Sequence, residues 1–142
     1  YQPSTMVVLV QKEVAERVVA RDGKESLLSL SVKAYGELIL VYKVSRGSFN
    51  PSPTVDSAVL QIKNISRNNF KNQYHESLFF KLIHLGFAHK RKFAISNIKA
   101  GFKDIDIVTL FKEVDLSEKV RAEDVSLTVW LLLSQKLATH SS

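Results

Sequence analysis

The stretch Thr5 to Ala20, TMVVLVQKEVAERVVA, decides the fold. Its first six residues, Thr5 to Val10, form an unbroken apolar, β-rich run. Such a run predicts a strand buried on both faces, the kind found inside a parallel sheet. The period then changes. Val14, Val18 and Val19 fall on one helical face, with Glu13, Glu16 and Arg17 elsewhere. Gly23 follows as a left-handed cap expected to end that helix.

Working outward, Leu27 to Ala34 predicts a second helix, broken near Gly36. Leu38 to Val44 and Val55 to Ile62 read as strands. Ser45 to Pro53 between them holds two prolines and one glycine, a loop of restricted backbone. Two strands so joined predict an antiparallel pair at a sheet edge. From Asn64 the composition changes. Ile65 to Lys71 reads as polar linker, and the pattern after it is helical throughout. Tyr74, Leu78, Leu82 and Leu85 recur at helical spacing, with Gly86 as a cap. Lys90 to Ala100 predicts a very basic helix whose apolar side is Ala94 and Ile98, continued by Phe102. Asp104 or Asp106 starts a short helix carrying Ile107, Leu110, Phe111 and Val114. Ser126 caps a last helix with Val129, Trp130, Leu133 and Leu137 inside. The chain thus divides into an α/β part, residues 1–63, and an all-α bundle, residues 64–142.

Composition bounds the chemistry. The 142 residues are 45% hydrophobic and 24% charged, which is ordinary globular composition. The absence of cysteine excludes a disulfide framework, a zinc ribbon and a thiol nucleophile. His75, His84, His89 and His140 show no metal-ligand spacing, so no metal is expected. The five glycines stand apart, without a phosphate-binding fingerprint. The apolar run Val129 to Leu133 is far short of the roughly 20 residues of a spanning helix, so a soluble, cytoplasmic protein with no membrane partner is expected. The net charge of +6 points to a polyanionic partner, nucleic acid first and anionic membrane second.

Two segments can carry function. Phe49 stands in a loop stiffened by Pro51 and Pro53, where a ring ordered at little entropic cost can stack on a flipped base. The alternative is that Phe49 packs into the core and the prolines merely shape a turn. Lys90, Arg91 and Lys92 follow His89 at an expected helix start, where the helix dipole favours anions, and Lys99 and Lys103 extend the charge. Contact with an RNA backbone and a solvated charged face both fit that run. Arg121 to Ser126, RAEDVS, reads as a helix-entry motif and Trp130 as core.

These segments, in this order, resemble the KsgA family of rRNA adenine dimethyltransferases. MVVLVQKEVAERVVA (Met6 to Ala20) is similar to the strand and helix after the family's catalytic loop. GSFNPSPTVDSAVLQI (Gly47 to Ile62) resembles its F-x-P-x-P-x-V-D-S-A-V signature. FAHKRKFAISNI (Phe87 to Ile98) resembles its basic helix, and RAEDVS its R-A-E-x-L-S motif. Ile95 and Ser96 depart from that helix, where Arg or Leu and then Asn are common.

The resemblance implies the C-terminal part of a Rossmann-like S-adenosylmethionine (SAM) methyltransferase sheet followed by a small helical rRNA-binding domain. It implies that Phe49 stacks on the target adenine, that Pro51 and Pro53 shape its loop, and that Lys90, Arg91 and Lys92 contact rRNA of the small ribosomal subunit. It implies SAM as the cofactor of the full-length enzyme. The glycine-rich SAM loop and the N-L-P-Y-like loop would lie upstream, so no catalytic or cofactor-binding residue is expected here. This portion alone is then expected to be inactive and to bind SAM poorly, and its incomplete sheet edge is expected to self-associate, to leave the chain partly unfolded, or to be completed within a longer protein. The alternatives are a non-enzymatic RNA-binding or ribosome-assembly module, and an Erm-like methyltransferase of large-subunit rRNA.

Overall fold

The computed structural model of the chain describes residues 5–19, 23–44 and 57–141. Strand β1 (Met6–Gln11) runs directly into helix α1 (Lys12–Val18). Helix α2 (Leu27–Lys33) follows, then strands β2 (Glu37–Val44) and β3 (Ser57–Lys63). The rest is helical: α3 (Gln73–Gly86), α4 (Ala94–Lys99), α5 (Ile107–Glu113), a short 3-10 turn (Ala122–Asp124) and α6 (Leu127–Ser141). The order is α/β and then all-α, as the sequence pattern predicts.

The sheet has the order β1-β3-β2, and both pairings are antiparallel. This corrects the reading of Thr5 to Val10 as a strand inside a parallel sheet. Val8 and Val10 of β1 pack with Leu38, Leu40, Ala58 and Leu60 against Ala15 and Val18 of α1. Val7 and Leu9 point the other way and are 61% and 57% exposed. The residue pattern calls for cover on both faces, and among the described residues only one face is covered. A shift of register between Leu40 and Tyr42 marks a bulge in β2.

Capping residues set the helix ends. The Ser26 side chain accepts from the Ser29 N–H at the start of α2. Asn72 does the same for α3 through the His75 N–H, and Ser126 for α6 through the Val129 N–H. Asp106, rather than Asp104, caps α5. Its carboxyl is held below its ordinary range, first by the hydroxyl and then by the N–H of Thr109. Helix α1 ends at Val19 in a right-handed conformation, so Gly23, although at φ +79°, is not its cap.

A second core fills the helical part around Trp130, Phe79, Phe111, Leu82, Ile83, Ile98 and Leu133. Two expectations change here. Phe70, in the segment read as polar linker, is buried among Tyr35, His75, Phe79 and Phe80. Gly86 is the last residue of α3 and Phe87 its cap, and a Cβ at Gly86 would stand 2.6 Å from the Trp130 ring. The buried His75 shows how this core satisfies polar groups. Its Nδ1 accepts from the Lys71 N–H at 3.1 Å, which leaves Nε2 to donate to Ser134 Oγ at 2.8 Å.

Leu30 and Ala34 of the first part also belong to this second core. Around them the two parts are stapled together. Asn69 donates to the Ala34 carbonyl at 2.7 Å, and the Ser66 N–H to the Tyr35 carbonyl at 2.7 Å. The Tyr35 hydroxyl donates to Glu76 at 2.6 Å, and Arg67 lies 3.6 Å from the same carboxylate. Burial, then this hydrogen bond and the Glu76 charge, push the Tyr35 hydroxyl from 10.0 up to about 12, against the pull of Arg67. A hydroxyl that ionises later in the folded state contributes its stability in full below its unfolded value. The contribution is lost as pH rises through the window from about 10 to about 12. Urea melts across that window should show the native chain losing more stability than Tyr35→Phe, with the two curves parallel below it.

Candidate nucleic-acid interface

The basic run lies where two helices are joined. Helix α3 ends at Gly86, with Phe87 as its C-cap, and α4 begins only at Ala94, with Phe93 as its N-cap residue. Lys90, Arg91 and Lys92 therefore stand in the connecting turn and not in the expected helix from Lys90. The helix-dipole argument for them falls with that correction, since α4 has just six residues and starts beyond them. What remains is geometry. All three side chains are exposed. Among the described residues none of the three has an ion pair or a hydrogen-bonded side chain.

The turn is nevertheless held firmly. Asn97 of α4 is 3% exposed, and its Nδ2 donates to the Gly86 carbonyl at 2.9 Å and to the His89 carbonyl at 3.1 Å. One amide thus ties both the end of α3 and the middle of the turn to α4. The Lys92 N–H closes the turn on the His89 carbonyl, and the Ala94 N–H reaches the Val120 carbonyl at 2.9 Å. Asn97→Ala removes one buried and one half-buried hydrogen bond and should cost about 2 kcal/mol of stability, read by urea denaturation.

Beside the turn runs a cleft of about 470 Å³. Arg17 of α1 and Lys24 come from the first part of the chain. Lys90, Lys92 and Arg121 come from the second, with Glu25 and Glu123 as the acidic members of the lining. Five cations against two carboxylates leave a surplus of three positive charges. At one end Asp124 tempers it by pairing with Lys24, whereas Lys33, outside the lining, pairs with Glu25 at 3.1 Å and offsets one of the two carboxylates. The Glu25 N–H donates to the Glu123 carbonyl at 2.8 Å, so the RAEDVS segment also bridges the two parts. Ala122 and Val125 of that segment are buried, as a helix-entry motif requires.

The lining suits a polyanion. It does not suit SAM, whose sulfonium carries positive charge, and no step involving that cofactor is assigned to these residues. Lys99 and Lys103 do not line this cleft. Phe49, Pro51 and Pro53 lie outside the described residues. Among the described residues no group of three His, Cys, Asp or Glu side chains could hold a metal ion. Nor is any described helix long and apolar enough to cross a membrane.

Sequence reasoning missed Arg17, Lys24 and Arg121 as partners of the basic run, because long stretches of chain separate them from it. It also missed Asn97. Phe93 could have been noticed, since it directly follows Lys92.

Comparison with known proteins bears on this arrangement. The family profile described as "Ribosomal RNA adenine dimethylase" matches residues 1–139. Ribosomal RNA small subunit methyltransferase A of Fusobacterium nucleatum is 38% identical over 128 residues, which are 89% of this chain and 48% of that protein. Its counterpart in Dehalococcoides mccartyi (strain CBDB1) is 38% identical over 140 residues, 96% of this chain and 47% of that protein. The chain therefore spans about half the length of the curated relatives it matches. Among solved structures, a dimethyladenosine transferase from Plasmodium falciparum superposes with a TM-score of 0.78 at 22% identity, covering 99% of this chain and 60% of that one. The 23S rRNA methyltransferase ErmE superposes with a TM-score of 0.74 at 19% identity, covering 95% and 55%. These superpositions show the fold: a three-stranded sheet with helices that forms part of a Rossmann-like methyltransferase architecture.

Proposed function

This chain belongs to the ribosomal RNA adenine dimethylase family, and on that premise we propose that it is the rRNA-gripping portion of a SAM-dependent adenine dimethyltransferase. The cleft with its surplus of positive charge, built from both parts of the chain, carries the reading. Two of its cations, Lys90 and Lys92, stand exposed on a turn that Asn97 holds in place, so they meet a phosphate backbone with little ordering left to pay for.

In this reading the parts divide the work. Residues 1–63 complete the methyltransferase sheet and 64–142 supply the helical platform. Leu30 and Ala34 of the first part are embedded in the second. Lys90, Arg91 and Lys92 bind the backbone of small-subunit rRNA. Phe49, shaped by Pro51 and Pro53, stacks on the target adenine. SAM supplies methyl groups to that base and is held outside the described cleft, so the portion alone transfers none. The work belongs in the cytoplasm, where the rRNA is. When the chain stands alone, the open edge of β1 and the exposed Val7 and Leu9 pair with a second copy. A single monomeric species by light scattering would remove that last point.

Chemical footprinting of both ribosomal subunits with the full chain tests the substrate. Protection confined to small-subunit rRNA is expected. Protection confined to the large subunit would favour the Erm-like alternative, and protection of neither would reject the rRNA reading.

A further inference from the structure

We propose that Phe93 is a stacking platform for an unpaired RNA base within the basic run, a role that rests on the rRNA-gripping reading above. Phe93 is 37% exposed and is not among the apolar side chains packed on either core. A phenylalanine ring that open keeps apolar surface available to a ligand. The guanidinium of Arg121 sits 4.8 Å from its centroid. That contact takes one face of the ring and fixes its orientation.

Lys81 over Phe102, at 4.5 Å, has the same geometry, but Phe102 is buried and has no free face. Phe93 differs in its surroundings. Arg91, Lys92, Phe93, Ser96 and Arg121 line a shallow cavity of about 350 Å³. Three cations share that lining with the ring, and the exposed Ser96 stands on the wall with a hydroxyl suited to a base edge.

The platform is pre-ordered. The Phe93 carbonyl accepts from the N–H groups of Ser96 at 3.1 Å and Asn97 at 3.3 Å. The next residue, Ala94, is tied to Val120. A ring on such a backbone loses little freedom when a base lands on it. The chemistry selects one class of ligand. A base inside a duplex has both faces covered, whereas one in a loop, bulge or single strand offers a face to the ring and its flanking phosphates to Arg91 and Lys92.

The test is fluorescence anisotropy of the full chain with an unstructured RNA oligonucleotide and with an RNA duplex of equal length. Phe93→Leu should bind the single strand roughly tenfold more weakly, with an unchanged salt slope, and bind the duplex as the native chain does. Phe93→Trp should restore single-strand binding. An oligonucleotide made abasic throughout should bind the native chain at least as weakly as the intact one binds Phe93→Leu, which tests base contact without any variant. If Phe93→Leu and the abasic strand bind at native strength while Arg91→Ala/Lys92→Ala weakens both RNAs, stacking is overturned and the RNA reading stands. If the native chain binds neither RNA, both fall together.

Discussion

Trp130→Ala is expected to lower the stability of the helical part by about 4 kcal/mol. Trp130 is 0% exposed and is the largest fully buried side chain of the core. Its ring lies against Gly86 of α3 and 6.1 Å, centroid to centroid, from Phe87. Removing the indole leaves a void between α3 and α6. The same contact reverses an ordinary rule. Glycine to alanine inside a helix usually stabilises by about 1 kcal/mol. At Gly86 the new methyl would meet a rigid ring held on all sides, so Gly86→Ala should destabilise instead. Urea denaturation of both variants checks the pair. A stabilised Gly86→Ala would mean that the α3–α6 contact is looser than described here. Gly86 and Phe87 also line the basic cleft, so the packing that fixes the core fixes the cleft floor as well.

The other large effect is on binding. Lys90→Ala/Arg91→Ala/Lys92→Ala should weaken binding to a small-subunit rRNA fragment by about a hundredfold or more at moderate salt, and should lower the salt slope by roughly two units. Stability should change little, because the three side chains are exposed and make no ion pair among the described residues. Filter binding across a salt series reads both numbers. An unchanged slope would mean that these cations touch no phosphate.

Much of the fold was legible where one residue pattern admits one structure. The change of period after Val10 marked β1 and α1. Ser126 and Asp106 announced helix starts that their side chains do cap. The strand pairing followed from two β-rich runs and an extended loop. The failures share a cause: a local pattern cannot see what lies across the fold. Gly86 looked like a cap because helices often end in glycine, yet it is small because Trp130 presses on it from 44 residues away. Phe70 sat among polar residues, so its burial depended on Tyr35 and on neighbours in α3. Lys90 to Lys92 were marked by charge alone, which is visible in sequence. Their partners Arg17, Lys24 and Arg121 become neighbours only through folding. The basic helix was overextended because Lys and Arg are good helix formers and nothing local forbade it. The carbonyls of Gly86 and His89, both bonded by Asn97, shape that segment as a turn instead.

The most direct measurement is isothermal titration calorimetry of the full chain, with SAM and with a small-subunit rRNA fragment in parallel, at two salt concentrations. RNA heat that shrinks as salt rises, with no heat from SAM, is the expected result. Saturable SAM binding without RNA binding would contradict it. It would move this chain's role from gripping the substrate to holding the cofactor.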